Sequence, residues 1–396
     1  MPQGQVLRRT KTSLPLEGLK VIEIAQGIAG PHCGRLLAAF GAEVIKIEPP
    51  RGDWSRIVGP FLQDDENIES SATYQYNNSG KKSVVLDIAT SKGMTAFKEL
   101  VSTSDILLED WDLSDRELLQ ISNNSFTDSN SSLIEISLTP FGLSGPYSKF
   151  TSTPIIQLAL GGYLYLTGLP EKEPLMLPGH QPDYLTGLNG NGAVQIALWE
   201  RDQTGKGQFV EIAMMETLAT LHQFTMEMET YEGYVRNRNG NLWQRESAFS
   251  NYGITTIECS DGHLCFGIST EDQWERLCVM IGKSEFLEDP QYATRAKRRN
   301  NATYLDSLLK EWVGARTREE VMVEASEIWG LPTAPVLGVS EVLEDPQFRH
   351  RGLFVEIEHP VTGKTTFPSF SFKTQDMIPV LNRAPLLGEH NKEVLI

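Results

Sequence analysis

Asp183 stands in the segment GHQPDYLTGLNGNG, between a Pro-containing turn and a run of small residues. A carboxylate in that setting has two compatible uses. As a helix N-cap it accepts hydrogen bonds from backbone N–H groups and stays ionised. Projecting into a cleft, it is a nucleophile toward an activated carbonyl. The residues alone leave both uses open. Other chemistry is scarcer. His32, His180 and His263 lie beside Pro or Gly in expected loops, and none pairs with a second His or a Cys at ligand spacing, so no metal site is expected. There is no GxSxG nucleophile elbow, and GKK at 80–82 lacks the spacing of a phosphate-cradling loop. Gly27 and Gly30 form GxxGP instead of GxGxxG, which reads as a strand-to-helix turn and not as a dinucleotide fingerprint. The four cysteines (Cys33, Cys259, Cys265, Cys278) show no CxxC pattern and suit reduced thiols in the cytoplasm. Cys259 and Cys265 flank an expected hairpin turn, where they could face each other or pack in the core.

These residues need elements to hold them. Val21 to Ala25 is a short apolar run ending at Gly27, as in a buried parallel strand. Pro31 suits the first turn of a helix that closes at Gly41, and Glu43 to Ile47 then reads as a second strand. This βαβ unit predicts a parallel sheet with a right-handed crossover. The alternation continues through KKSVVLDI, KGMTAFKELVSTS, DILLED, SLIEISLTPFG, a helix over 183–201 and the strand QFVEIAM. Gly190, Gly192 and Ala193 are expected to let that helix pack closely on a neighbour. From about Thr225 the chain turns polar and loop-rich, then reads as a hairpin through Asp261-Gly262 followed by three helices. The expected organisation is a large α/β domain with a Rossmann-like parallel sheet over 1–225, a smaller α+β domain over 226–330, and a return to the large domain over 331–396. Residues 1–13 read as a loose arm.

A chain of 396 residues with 40% hydrophobic and 22% charged residues suits a soluble two-domain protein. A net charge of -17 disfavours nucleic acid and anionic membrane as partners. No apolar run is long enough to span a bilayer, and the basic start lacks the apolar core of a signal peptide.

Six blocks in order resemble the class III CoA-transferases, the group of formyl-CoA transferase, carnitine CoA-transferase and α-methylacyl-CoA racemase. They are LEGLKVIEIAQGIAGPHCGRLLAAFGAEVIKIEPPRGDWSR, NNSGKKSVVLDI, SLTPFGLSGPYS, PDYLTG with ALWERDQTGKGQFVEIAM, LPTAPVLGVSEVLEDPQFRHRGLFVEIEHPVTGK and APLLGEHNKEVL. The similarity runs from about residue 14 to 396.

The resemblance implies that CoA passes from an acyl-CoA donor to a small carboxylic acid, with Asp183 as nucleophile through aspartyl anhydride and aspartyl-CoA intermediates. The CoA thioester is a substrate, and no tightly bound cofactor is implied. CoA contacts carry over to Ile28, Ala29, Leu86, Asp87, Ile88, Ala89, Asp110, Trp111, Thr139 and Pro140, with Arg116 at the phosphate end. The family's usual Asn is Asp110 here, Pro49 stands where a basic residue often follows Glu48, and Thr139 replaces a Lys of some members. SAFSNYG occupies the place of the glycine-rich lid of formyl-CoA transferase. The His-Asp pair of the racemase branch falls on Thr153 and Pro154, which favours transferase over racemase. A non-catalytic acyl-CoA-binding homodimer is the third reading. The resemblance also implies an interlocked homodimer, with each site between a large domain and the partner's small domain.

Overall fold

The protein, seen as a computed structural model, is described for residues 14–123, 125–245, 252–375 and 377–395. The arm expected at 1–13 and most of SAFSNYG lie outside these residues. The chain forms two compact units. One takes the residues up to Gly161, Leu177–Leu221 and those from Pro346 onward; the other takes Gly162–Met176 and His222–Asp345. The 226–330 segment lies within the second unit, which also holds 162–176, 222–225 and 331–345.

The first unit carries six parallel strands: β1 (Lys20–Glu23), β2 (Glu43–Glu48), β3 (Lys82–Val85), β4 (Ile106–Glu109), β5 (Ile134–Thr139) and β6 (Gln208–Ala213). Their order is β3-β2-β1-β4-β5-β6. The winding reverses between β1 and β4, which leaves a crevice at the carboxyl ends of those two strands, where doubly wound sheets hold ligands. The α-helices between residues 29 and 220 are α1 (Ala29–Ala39), α2 (Ala72–Asn77), α3 (Ser91–Ser102), α4 (Leu113–Leu119), α5 (Pro154–Leu160), α6 (Tyr163–Leu166, in the second unit), α7 (Gln181–Thr204) and α8 (Met214–Thr220). On one face of the sheet, α1 and α7 set Leu37, Val194 and Leu198 against Val21, Val44, Ile106 and Ile134. On the other, Phe97 and Val101 of α3 pack on Ile22, Ile45 and Leu107. Burial on both faces is why these strands read as continuous apolar runs.

Helix α7 approaches α1 through small residues, but not only those expected. A Cβ on Gly187 would sit 2.4 Å from the carbonyl oxygen of Ala29, and one on Gly190 would sit 2.8 Å from Leu138 Cδ2. Gly192 faces open space.

In the second unit, β7 (Ile254–Cys259), β8 (Gly262–Gly267) and β9 (Thr333–Pro335) form an antiparallel sheet. Cys259 pairs with Gly262, so Ser260 and Asp261 make the turn. Cys265 pairs with Thr256 and is exposed, while Cys259 is buried, so the two thiols do not face each other. Helices Glu271–Met280 and Ala302–Val313 bury Trp274, Leu277, Leu305 and Leu309 on this sheet. The stretch read as polar and loop-rich from about Thr225 begins inside a helix, Gln223–Glu232.

Back in the first unit, β10 (Phe354–His359) and β11 (Gly363–Pro368) form an antiparallel hairpin. The tail then runs along the outer edge of β3. The Val85 N–H donates to Asn391 Oδ1 at 2.8 Å, and the His390 N–H donates to the Ser83 carbonyl at 3.0 Å. Among the described residues, no helix is long and apolar enough to cross a membrane.

Candidate active site

Helix α7 opens after His180, whose side chain makes no capping bond, with Pro182 in its first turn. Pro is at home there because its missing N–H would be unpaired anyway. Asp183 is therefore the third residue of the helix and is not its N-cap. Its side chain is 19% exposed, and Oδ2 is buried without a hydrogen-bond partner among the described residues. Burial raises its pKa above the usual carboxylate range; His180, with Nδ1 3.7 Å from Oδ2, opposes the rise. A buried oxygen with no donor holds its lone pairs free, which a nucleophile requires.

One turn along α7, Gly187 lies against Ala29, so the helix carrying Asp183 is seated on the turn that starts α1. Ile28, buried, is the residue before that helix, and Ala29 is its first. Just upstream, the Gln26 N–H donates to Asp110 Oδ2 at 2.8 Å, which ties the β1 and β4 ends together across the switch-point crevice. Asp183, Ile28, Ala29 and Asp110 are thus linked through adjoining elements.

The other positions lie farther along the same edge of the sheet. Leu86 to Ala89 leave β3, two strands from β1; Leu86 and Asp87 line a cleft of about 700 Å³ together with Lys92. The Ala89 N–H donates to Asp87 Oδ1 at 3.1 Å. Thr139 ends β5, where its Oγ1 accepts the Gly142 N–H at 3.0 Å and shapes the turn through Pro140. Two of the expected contacts have their side chains turned into the protein. The Trp111 ring packs against Phe97 and Phe126, with centroids 5.9 and 6.4 Å away. The Arg116 guanidinium is buried between Glu109 and Glu135, 3.1 Å from the latter.

Two features escaped the sequence reading. One is a chain of buried charges at the strand ends. Lys46 Nζ reaches Asp53 Oδ2 at 2.7 Å and Glu23 Oε1 at 3.1 Å. Lys81 Nζ reaches Glu23 Oε1 at 2.8 Å and the Pro31 carbonyl at 2.8 Å. Asp53 accepts the Gly27 N–H at 3.0 Å, so the chain of charges ends on the backbone of the turn beside Ile28. Burial pushes Lys81 down to about 8, against the pull of Glu23. For Lys46 burial acts in the same direction, but Asp53 and Glu23 outweigh it and its pKa is raised. The signal was present as charged residues inside the buried runs VIEIA and VIKIE. The other feature is a ring cluster of His32, Tyr76 and Tyr184, drawn from three elements. His32 and Tyr184 meet edge-on at 5.0 Å, and Tyr76 and Tyr184 at 6.0 Å.

Asp110 gives a prediction of its own. Burial, with Glu109 and Asp53 adding repulsion, pushes its pKa up to about 8, although the Gln26 N–H and Lys46 act against this. Unfolded, the group titrates near 4. The folded state therefore binds more protons between those values, and this group's contribution to stability falls as pH rises from about 4 to about 8. Asp110→Asn keeps an acceptor for the Gln26 N–H and has no charge to bury. Thermal melts should show its advantage over wild type growing by on the order of 2 kcal/mol between pH 5 and pH 8.5. Equal differences at both pH values would remove the buried-acid assignment.

Residues 16–391 match the model of CoA-transferase family III. The chain is 30% identical to the succinate–glutarate CoA-transferase of Agrobacterium fabrum over 96% of this chain and 95% of that protein. It is 28% identical to a formyl-CoA:oxalate CoA-transferase of Streptomyces avermitilis over 96% and 94%. A crystal structure of a CAIB/BAIF family protein from Brucella suis superposes with a TM-score of 0.84 at 30% identity, covering 97% of this chain and 99% of that one. With a parallel sheet ordered 3-2-1-4-5-6 beneath a family match of this length, the chain belongs to CoA-transferase family III, enzymes that move coenzyme A between acids.

Proposed function

We propose that the protein transfers CoA from an acyl-CoA to a carboxylic acid with Asp183 as the covalent nucleophile. The observation that carries this is the buried Oδ2 of Asp183, without a hydrogen-bond partner, in the first turn of α7 and beside the turn that starts α1. A carboxylate oxygen attacks the thioester carbonyl carbon, the C–S bond breaks, and CoA thiolate leaves an aspartyl acyl anhydride. The thiolate attacks the aspartyl carbonyl, and the donor acid departs as its carboxylate, leaving aspartyl-CoA. The acceptor carboxylate displaces the thiolate to form a second anhydride. Attack of the thiolate on the acceptor carbonyl then releases the new thioester and the free Asp183 carboxylate. Each step passes through an oxyanion, which donors at the site must stabilise.

In this reading CoA lies along the carboxyl edge of the sheet, touching Ile28, Ala29, Leu86 to Ala89, Asp110, Thr139 and Pro140. Trp111 and Arg116 brace the loops that hold those residues, since their side chains have core partners. Incubation with an acyl-CoA followed by hydroxylamine should add a hydroxamate to the peptide carrying Asp183. Thioester turnover with that peptide unmodified would sink the reading.

A homodimer belongs to the same proposal. Leu188, Ile196 and Trp199 lie toward one side of α7 and are 57%, 71% and 72% exposed, an apolar face that a second copy would cover. If the copies interlock, tagged and untagged protein mixed after folding should yield no hybrid dimers over hours. Rapid hybrid formation, or a monomer in solution, would count against interlocking.

A further inference from the structure

A cleft of about 610 Å³ opens in the first unit beside the start of α7. Its walls are largely rings: His32 from α1, Tyr76 from α2, Tyr184 from α7, Pro60, and Phe367 and Pro368 from β11. Tyr184 is the neighbour of Asp183 in the chain, so the wall begins one residue from the proposed nucleophile. The rings hold one another in place. His32 and Tyr184 meet edge-on at 5.0 Å, and Tyr76 and Phe367 stack with centroids 6.2 Å apart.

Charge is nearly absent from this surface. Burial, with Arg35 and Lys81 nearby, pushes the His32 pKa down to about 3, so the ring is neutral at physiological pH. The nearest cation behind the wall is Arg35, whose Nε has no hydrogen-bond partner among the described residues. Arg35 is buried, stacks on Tyr76 at 4.2 Å and on Phe370 at 5.2 Å, and donates from Nη2 to the Pro368 carbonyl at 3.1 Å. A second carboxylate entering here would lose its water, and Arg35, only 2% exposed behind the Tyr76 ring, is out of its reach. A hydrocarbon or ring would gain aromatic faces at little ordering cost, since the walls are already packed.

We propose that the acid handled at Asp183 has an apolar, ring-bearing or branched body seated in this cleft, and is not a short dicarboxylate. This rests on Asp183 being the nucleophile. The test is an acceptor panel with the full chain and one acyl-CoA donor, comparing phenylacetate and 3-methylbutanoate with succinate and oxalate by kcat/KM. The expected result is a preference of tenfold or more for the two apolar acids. Phe367→Ala should lower kcat/KM for phenylacetate by about tenfold while that for succinate changes less than about threefold; Phe367→Leu should retain most of the activity. Succinate or oxalate as the best acceptor would overturn the cleft assignment and leave the nucleophile standing. No transfer to any acid, with the Asp183 peptide unlabelled by hydroxylamine, would overturn both. The wild-type panel decides the matter even if a Phe367 variant fails to fold.

Discussion

Asp183→Asn should abolish CoA transfer, with a loss on the order of 10⁴-fold or more, since removing a covalent nucleophile eliminates the pathway it serves. An amide oxygen cannot form the anhydride. The fold should hardly change. Oδ2 has no hydrogen bond to lose, and the N-cap position belongs to His180. Losing a negative charge from the first turn costs about 0.5 kcal/mol of helix-dipole attraction, while relief from burying that charge acts the other way. Unfolding should therefore stay within about 1 kcal/mol of wild type. Because burial raises the pKa of Asp183, wild-type activity should fall on the acid side as the carboxylate takes up its proton. Substantial transfer by a well-folded Asn variant would end the nucleophile assignment. Inactivity accompanied by collapse of the fold would show that the side chain holds the helix.

Glu23→Ala should be the most damaging change to stability. Glu23 is fully buried at the end of β1 and binds the ammonium groups of both Lys46 and Lys81. Helix α1 packs directly on this carboxylate, since a Cβ on Gly34 would lie 1.8 Å from its Oε2. Removing this carboxylate strands Lys81 in the interior with only the Pro31 carbonyl and Asn78 Oδ1 as partners. The cost should be about 3–5 kcal/mol, seen as a drop in melting temperature on the order of 10 °C. Adding Lys81→Met to Glu23→Ala removes the orphaned charge and should recover part of the loss. A single variant that melts within about 2 °C of wild type, or a double variant no better than the single, would show that the network does not bear on the fold.

The sheet and its crossovers were legible because local signals agree with tertiary placement. Apolar runs, Pro31 in a first turn and Gly41 at a helix end each match what the structure does. Helix Gln223–Glu232 was missed because its pattern is not one of burial. Phe224 and Met226 are exposed, and only Met228 is buried, so no apolar stripe marks it. For α7 the small residues were visible but their phase was not. In GLNGNG every other residue or so is a gap, and only the fold decides that Gly187 and Gly190 face inward while Gly192 does not. Asp183 could be singled out only through ordered motifs along the whole chain, since an Asp near a helix start is common for other reasons. Its surroundings were less accessible. His32, Tyr76, Tyr184 and Phe367 are 335 residues apart at the extremes, and no local spacing joins them. The charges at the strand ends run against the ordinary rule that Lys and Glu stay wet, and no local spacing joins Glu23, Lys46, Asp53 and Lys81 into a network.

The strap along β3 has a bearing on how the protein is made. The outer edge of that strand is covered by residues 383–391, and one wall of the aromatic cleft by 366–368. A ribosome delivers these segments about 300 residues after the strand they cover. Until then the first unit carries an open row of backbone donors and acceptors, ready to pair with any other extended chain. Its completion is thus necessarily a late event in synthesis. A nascent chain stalled before about residue 380 would be a species for chaperones to hold, lacking both its sheet cover and a finished binding cleft.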